Sequence, residues 1–207
     1  HCISSAASDV YKRQAPPTSW KDLKDPKYKK QLVVPPLNNT YGLHALVEYA
    51  REGGGSEKKI DAGFTTFKNE VGPNVLVYEP SPGKMTELFS SGQAVISVWG
   101  SGRAKSFADT GFPVGFVYPQ EGAYALLSSV CPVAKSATNP LAQAFVQYLV
   151  TPEVQEKLAS AYGYGPVNKK AKVEDDPRVP LPIGKRAADL IVIDWDTVNQ
   201  NRDDWNK

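Results

Sequence analysis

Short β-branched runs alternate with stretches of helical periodicity along most of this chain, and that order limits what it can fold into. The runs "LVV", "NVLVY", "AVISVW" and "PVGFV" are each followed within two residues by proline or glycine, which end strands. The segments between them, such as "TYGLHALVEYARE", place apolar residues at the spacing of one helix face. Strands that alternate with helices in this way predict an α/β fold.

Local signals predict where the first helices begin. Thr40 is expected to cap a helix over residues 41–51, and Ser56 a second helix within "SEKKIDAGFTTFKNEVG". The segment "SPGKMTELFSSGQ" predicts a third helix that leads directly into the strand "AVISVW".

The second half of the chain continues the pattern. A strand is predicted in "AYALLSSVCPVA", followed by two amphipathic helices separated by Pro152. A short strand in "LIVIDW" then leads into a helix capped by Asp194 or Asp196, where Trp195 and Trp205 have packing roles. The apolar face of the first amphipathic helix is expected to face a core; it consists of Leu141, Phe145, Tyr148 and Leu149.

Composition excludes several classes of function. The chain of 207 residues is 41% hydrophobic, enough for a sizeable core, and no apolar run approaches the length of a membrane span. Its net charge of +2 comes from scattered Lys and Arg residues, so nucleic acid is not a predicted partner. Beyond the first residues, the single cysteine Cys131 and the single histidine His44 cannot make a disulfide or a Cys/His metal site. We therefore expect neither a metal nor a cofactor.

The start of the chain, "HCISSAASDVYKRQ", lacks the apolar centre of a signal peptide and has neither helical nor strand periodicity. It resembles the read-through sequence found at the ends of metagenomic gene predictions. We expect residues 1–14 to be a non-native leader without a functional role.

The strand "AVISV" ends abruptly in "WGSGR". In open α/β sheets, ligands bind just beyond the carboxyl ends of the strands. Trp99 and Arg103 therefore mark a candidate binding site at this strand end.

The segments "PTSWKDLKDPKYKKQLVVPP", "MTELFSSGQAVISVWGSGRA", "YPQEGAY" and "NPLAQAFVQYLVTPEVQEKLASAYGYGPVNKKA" occur in this order between residues 17 and 171. Together they resemble the extracellular solute-binding proteins of ABC importers, and most closely the branch of the spermidine/putrescine-binding proteins. The resemblance implies an α/β, type II periplasmic-binding-protein fold, whose two lobes close on a small-molecule solute and present it to a membrane permease. It also implies a monomer that works in the periplasm or outside the cell.

The same resemblance divides the chain. Residues 15–30 would cross over from lobe I, residues 31–116 would form lobe II, and residues 117–207 would return through the hinge and form the C-terminal part of lobe I. Relative to a complete member, the opening part of lobe I is lacking. We therefore interpret the chain as a C-terminal fragment with one nearly complete lobe plus part of the other.

Within that architecture, Trp99 would lie on the cleft wall and stack on a ligand, while Arg103 would offer a forked cation to a carboxylate or phosphonate. Arg103 is equally compatible with a surface or salt-bridge role. Ser101, between them, is interpreted as a ligand-binding or turn hydroxyl.

A second constellation, "NNTYG", lies at another strand-to-helix junction, where unpaired amides suit an anionic or amide group. Turn formation and helix capping explain the same residues without a ligand. The ligand-binding candidates here are Asn38, Asn39, Thr40 and Tyr41.

A third group of candidates, Glu121, Tyr124 and Ser128, would lie near the hinge. For Glu121 a structural role is favoured over pairing with a ligand amine. The resemblance implies that polyamine-binding relatives use carboxylates in segments that here read Asn38-Asn39 and Ser128-Ser129, and desolvated ammonium groups need such charges. An amino acid-like or otherwise acidic solute is therefore at least as well supported as a polyamine.

An enzyme on a similar two-lobed α/β frame is the alternative function. However, "WGSGR" lacks the strand-serine-helix elbow of hydrolases, so Ser101 is a poor candidate for a nucleophile. We expect no catalytic residues, and binding without turnover.

Overall fold

The computed structural model describes residues 2–6, 16–134 and 139–206. It confirms that strands alternate with helices over most of the chain. The strands are β1 (Cys2–Ala6), β2 (Leu32–Val34), β3 (Val75–Tyr78), β4 (Ile96–Trp99) and β5 (Val114–Val117). The helices are α1 (Thr40–Glu52), α2 (Asp61–Thr66), α3 (Pro82–Ser90), α4 (Ser101–Ala108), α5 (Pro140–Leu149), α6 (Pro152–Tyr162), α7 (Lys185–Ala188) and α8 (Trp195–Trp205).

The five strands form one mixed sheet in the order β3-β2-β4-β1-β5. Strand β2 runs parallel to both β3 and β4, whereas β1 is antiparallel to β4 and β5. Because β2, β3 and β4 are parallel, their carboxyl ends lie at the same edge of the sheet, where α1, α3 and α4 begin.

The start of the chain lacks strand periodicity in its sequence, yet Cys2–Ala6 form a strand. Cys2–Ala6 occupy the position between β4 and β5, where Ile3 pairs with Val98 on one side and Val117 on the other. An extended segment fits there because β4 and β5 both present backbone N–H and C=O groups to it. That residues 1–14 are a non-native leader stays a prediction.

Two core clusters cover the two faces of the sheet, because successive side chains of a strand point to opposite faces. Leu32, Val34 and Ile96 belong to the first core cluster, with α1 and the turn after α2. Val33 and Trp99 belong to the second core cluster, with α3 and α4.

Two helix starts differ from the prediction. The side chain of Asn39, rather than Thr40, caps α1 by accepting the Tyr41 amide at 3.0 Å. Ser56 does not cap α2; it closes a turn with Lys59, and α2 begins later, after Ile60, without a side-chain cap. The predicted caps did not fix the helix starts, because Asn and Ser side chains also bond to nearby backbone groups in local turns.

The strands predicted in "AYALLSSVCPVA" and "LIVIDW" reduce to one parallel bridge between Tyr124 and Ile191. Beyond Ala125 the first segment has no strand partner among the described residues. Helix α5 is also placed differently from expectation, because its predicted core face is exposed: Leu141 is 80% exposed and Phe145 56%. Among the described residues, α5 packs mainly against α6.

Helix α8 confirms its predicted start and the packing role of its tryptophans. The Asp194 side chain accepts the Thr197 amide at 3.1 Å, while Trp195 and Trp205 pack against the first core cluster. Helix α8, within residues 117–207, therefore packs against the same core cluster as α1.

Gly42 in the first turn of α1 allows the helix to press on the preceding prolines. A Cβ atom at this position would lie 2.2 Å from the Pro35 carbonyl oxygen and 2.5 Å from that of Pro36. We expect Gly42→Ala to lower the free energy of unfolding by about 2 kcal/mol, because rigid backbone must move. Gly83→Ala, at the start of α3, is the matched control and should be neutral or slightly stabilising, because a Cβ there would lie 3.9 Å from Ser81 Oγ, an ordinary contact distance. Urea unfolding curves measure both, and equal midpoints would contradict this close contact.

Candidate functional site

An open groove of about 790 Å³ lies between the start of α4, the segment after Tyr124 and the end of α6. Aliphatic side chains such as Leu126, Val146 and Leu158 line one part of it. Its other part is polar. The polar lining residues are Tyr41, Ser101, Arg103, Ser106, Tyr118, Tyr124, Ser128, Gln155, Tyr162 and Tyr164.

The start of α4 gives the polar part its charge. Gly100 is the N-cap and offers no side chain, and its carbonyl accepts the amides of Arg103 and Ala104 at 3.0 Å each. The amides of Ser101 and Gly102 have no carbonyl within the helix to donate to, so among the described residues they are open donors at the positive end of the helix. Arg103 is exposed on the same turn and is the only charged side chain among the described groove-lining residues.

Two tyrosines that were not among the candidate site residues also line this groove. Tyr162 and Tyr164 are about half exposed, with ring centroids 5.8 Å apart, on either side of the left-handed Gly163 that ends α6. A Cβ on Gly102 would lie 2.6 Å from the Tyr162 carbonyl and 2.9 Å from Tyr164 Cε1. The pattern "GYG" signalled the turn, but no local signal placed it against α4.

Tyr41 completes the polar wall at the start of α1. Burial raises the pKa of its phenol, while the nearby Arg103 guanidinium lowers that pKa. The phenol is therefore a neutral hydrogen-bonding group near the cation at neutral pH.

Asn38, Asn39 and Thr40 do not line the groove: Asn39 caps α1, and the Asn38 carbonyl accepts from Arg202 at 2.7 Å.

Trp99 was expected on a cleft wall, and that placement is wrong. The indole is 2% exposed, and its ring lies parallel to Phe89, at a centroid distance of 6.3 Å, within the second core cluster. The alternation of β4 turns Trp99 toward α3 and α4, on the face opposite Ile96. In this structure the ring is not available for stacking on a ligand.

Glu121 makes hydrogen bonds within the protein, in line with the structural role that was favoured. Its carboxylate accepts hydrogen bonds from the Ser19 hydroxyl and from the Trp20 amide, the latter at 3.2 Å. It therefore ties the turn at residues 119–122 to the segment before residue 20 and is not a groove-lining residue.

Tyr124 and Ser128 differ in whether their hydroxyl groups are available to a ligand. Tyr124 is 1% exposed, and its hydroxyl donates to Glu48 Oε2 at 2.6 Å. Burial raises the pKa values of both the Glu48 carboxyl and the Tyr124 phenol. Both residues line the groove, but the Tyr124 hydroxyl is committed to the protein, whereas Ser128 is exposed.

Within the described ranges there is no group of three or more His, Cys, Asp or Glu side chains arranged to hold a metal ion. In those same ranges no helix has both the length and the apolar character needed to cross a membrane.

Comparisons with known proteins place this geometry in a family. Residues 5–180 match the family model described as bacterial extracellular solute-binding protein. The spermidine/putrescine-binding periplasmic protein of Escherichia coli (strain K12) is 25% identical over 163 residues, which cover 78% of this chain and 46% of that protein.

Solved structures agree on the fold. An ABC transporter structure from Clostridium perfringens ATCC 13124 superposes with a TM-score of 0.81 and 26% identity, over 99% of this chain and 64% of the other. The periplasmic binding protein AfuA from Actinobacillus pleuropneumoniae superposes with a TM-score of 0.66 and 19% identity, over 98% of this chain and 65% of the other.

The chain spans about half the length of the curated relatives it matches, and 64% of the Clostridium structure. The structural matches confirm the predicted α/β fold as that of periplasmic binding proteins. Since the family model covers most of the chain, the protein belongs to the bacterial extracellular solute-binding proteins.

Proposed function

We propose that the protein is the solute-binding component of an ABC importer and that it captures a small solute bearing a carboxylate or phosphate group. The anionic group would bind at Arg103 and the first amides of α4, beside Tyr41 and Tyr164. The observation that carries this proposal is the single positive charge, Arg103, on a described groove lining without carboxylates.

The chemistry of the lining favours an anion over an ammonium group. A guanidinium can bind a carboxylate or phosphate through two parallel hydrogen bonds, and the open amides of α4 add donors. An ammonium group withdrawn from water needs carboxylates, but Glu48 and Glu121 are engaged within the protein and neither lines the groove.

The names of similar proteins span both chemistries. The Escherichia coli relative is named for spermidine and putrescine, whereas the AfuA structure has fructose-6-phosphate bound. At 25% and 19% identity neither ligand transfers directly, so the groove itself is the better guide. It supports the acidic class.

Binding without turnover is part of the proposal. The family and the fold are those of binding proteins. Ser101 lines the groove, but His44, the histidine within the described ranges, is fully buried and does not line it. A serine without a neighbouring base is a poor nucleophile.

In transport, the protein would act outside the cytoplasm as a monomer and deliver its solute to the membrane permease. Residues 31–116 would supply one wall of the cleft, and residues 117–207 the return through the hinge and part of the other lobe. Closure of the two lobes would bury the solute.

Isothermal titration calorimetry of the full-length protein tests this function with glutarate, 4-aminobutyrate, fructose 6-phosphate and spermidine. We expect saturable binding of at least one of the three solutes that bear a carboxylate or phosphate group. Arg103→Gln should weaken that binding about tenfold to a hundredfold, because a charge-assisted hydrogen bond contributes about 1.5–3 kcal/mol.

Lys68→Gln is the matched control, since Lys68 is an exposed cation outside the groove. It should leave the affinity unchanged. Binding of spermidine alone, or acidic-solute binding that is indifferent to Arg103→Gln, would contradict the proposal.

A further inference from the structure

Three passages of the chain meet on one side of α1, and Tyr124 lies at their centre. The first is residues 18–20, the second is residues 120–125 and the third is residues 191–195. Backbone hydrogen bonds join the second passage to the other two: Gln120 donates to Thr18 at 2.9 Å, and Ala125 donates to Ile191 at 2.8 Å.

The side chain of Tyr124 belongs to a cluster of aromatic rings that includes members from α1 and from the first and third passages. Its ring stacks on His44 of α1, with centroids 5.0 Å apart and an interplanar angle of 21°. It meets Trp20 of the first passage edge-on at 6.1 Å. On its far side His44 contacts Trp195 of the third passage, at 6.0 Å.

One polar contact fixes the orientation of Tyr124 within this cluster. Its hydroxyl donates to the Glu48 carboxylate at 2.6 Å, and Glu48 is only 5% exposed. A buried carboxylate is costly unless hydrogen-bonded, so the pair constrains both α1 and the second passage.

Tyr124 also stands at the end of the fixed part of its passage. After the hydrogen bond from Ala125, residues 126–134 form no strand, and their side chains are exposed. Leu126, Leu127 and Ser128 in this stretch line the groove. The direction in which the stretch leaves the core is therefore set at Tyr124 and Ala125.

We propose that Tyr124 and Glu48 are positioning residues: their hydrogen bond holds the groove-lining stretch 126–128 in place for the solute, although neither side chain binds it. This inference rests on the proposed function for the site. It replaces the expected direct contact of Tyr124 with a ligand.

Tyr124→Phe in the full-length protein removes the hydroxyl and keeps the ring. The matched control is Tyr49→Phe, because Tyr49 also lies buried on α1 and donates one hydrogen bond, at 3.1 Å, to the Trp20 carbonyl of the first passage. Glu48→Gln is the conservative variant, since its amide oxygen still accepts from Tyr124.

The first measurement is hydrogen exchange, without solute, of the Ala125 and Ile191 amides, which donate to the Ile191 and Ala123 carbonyls at 2.8 Å each. We expect exchange to rise about tenfold in Tyr124→Phe and to stay near wild type in Tyr49→Phe and Glu48→Gln. Unchanged exchange in Tyr124→Phe, or an equal rise in Tyr49→Phe, would overturn the proposal.

The second measurement is calorimetric affinity for whichever of glutarate, 4-aminobutyrate and fructose 6-phosphate the wild type binds best. We expect a loss of about fivefold to tenfold in Tyr124→Phe only. Faster exchange with unchanged affinity would also overturn the proposal. Failure of the proposed function appears separately, as a wild type that binds none of the three, while the exchange measurement still tests the anchoring.

Discussion

Replacing Trp99 with alanine is expected to lower the free energy of unfolding by about 3–5 kcal/mol, the range for removing a buried large aromatic. The indole is 2% exposed and packs against Phe89 and Phe107, with ring centroids 6.3 and 6.4 Å away. The cavity left by alanine lies between β4, α3 and α4, where the backbone cannot collapse freely. Chemical unfolding of the full-length protein measures the loss.

Tyr78→Ala provides the control for Trp99→Ala, since Tyr78 ends β3 and is 50% exposed. Its loss should be well below that of Trp99→Ala. Trp99→Phe should be intermediate, because it keeps an aromatic ring in the cluster. A Trp99→Ala protein with normal stability and a lost solute affinity would restore Trp99 to the binding site.

Acid should destabilise the protein through His44. Burial lowers the pKa of this imidazole from 6.5 to about 3, so the folded state keeps it neutral where the unfolded state binds a proton. The stabilising contribution is complete above pH 6.5 and is lost as the pH falls from 6.5 toward 3. At pH 4 the loss amounts to about 3 kcal/mol, at about 1.4 kcal/mol per pH unit.

The pH dependence of urea unfolding in His44→Phe isolates this contribution. Phenylalanine keeps a ring stacked on Tyr124 but cannot bind a proton, so the variant should lose less stability than wild type between pH 7.5 and 4. His44→Gln serves as a second variant with a polar group. Parallel stability profiles for wild type and both variants would refute the assignment to His44.

The sequence was sufficient to predict the alternation of elements, because strand and helix periodicity are local. The runs that contain Val33, Val77 and Val98 became strands, and Pro82 and Pro152 lie at the first positions of the helices predicted there. Arg103 was placed correctly at a strand end because Gly100 interrupts the apolar run.

What failed depended on neighbours distant in the sequence. Alternation indicates that Trp99 and Ile96 face opposite sides of β4, but not which side is covered by α3 and α4. Likewise, Asn39 and Thr40 are both good caps, and tertiary packing of α1 decides between them. Tyr164 reaches the groove only because α6 ends against Gly102.

The arrangement of aromatic rings around Tyr124 determines what the tryptophans can report spectroscopically. Trp20 and Trp195 both lie within this cluster, whereas Trp99 is enclosed in the second core cluster and Trp205 packs against the first. Intrinsic fluorescence should therefore respond to rearrangement where the three passages meet rather than to a solute touching an indole. A solute-induced change in emission would be an optical readout of movement at this junction.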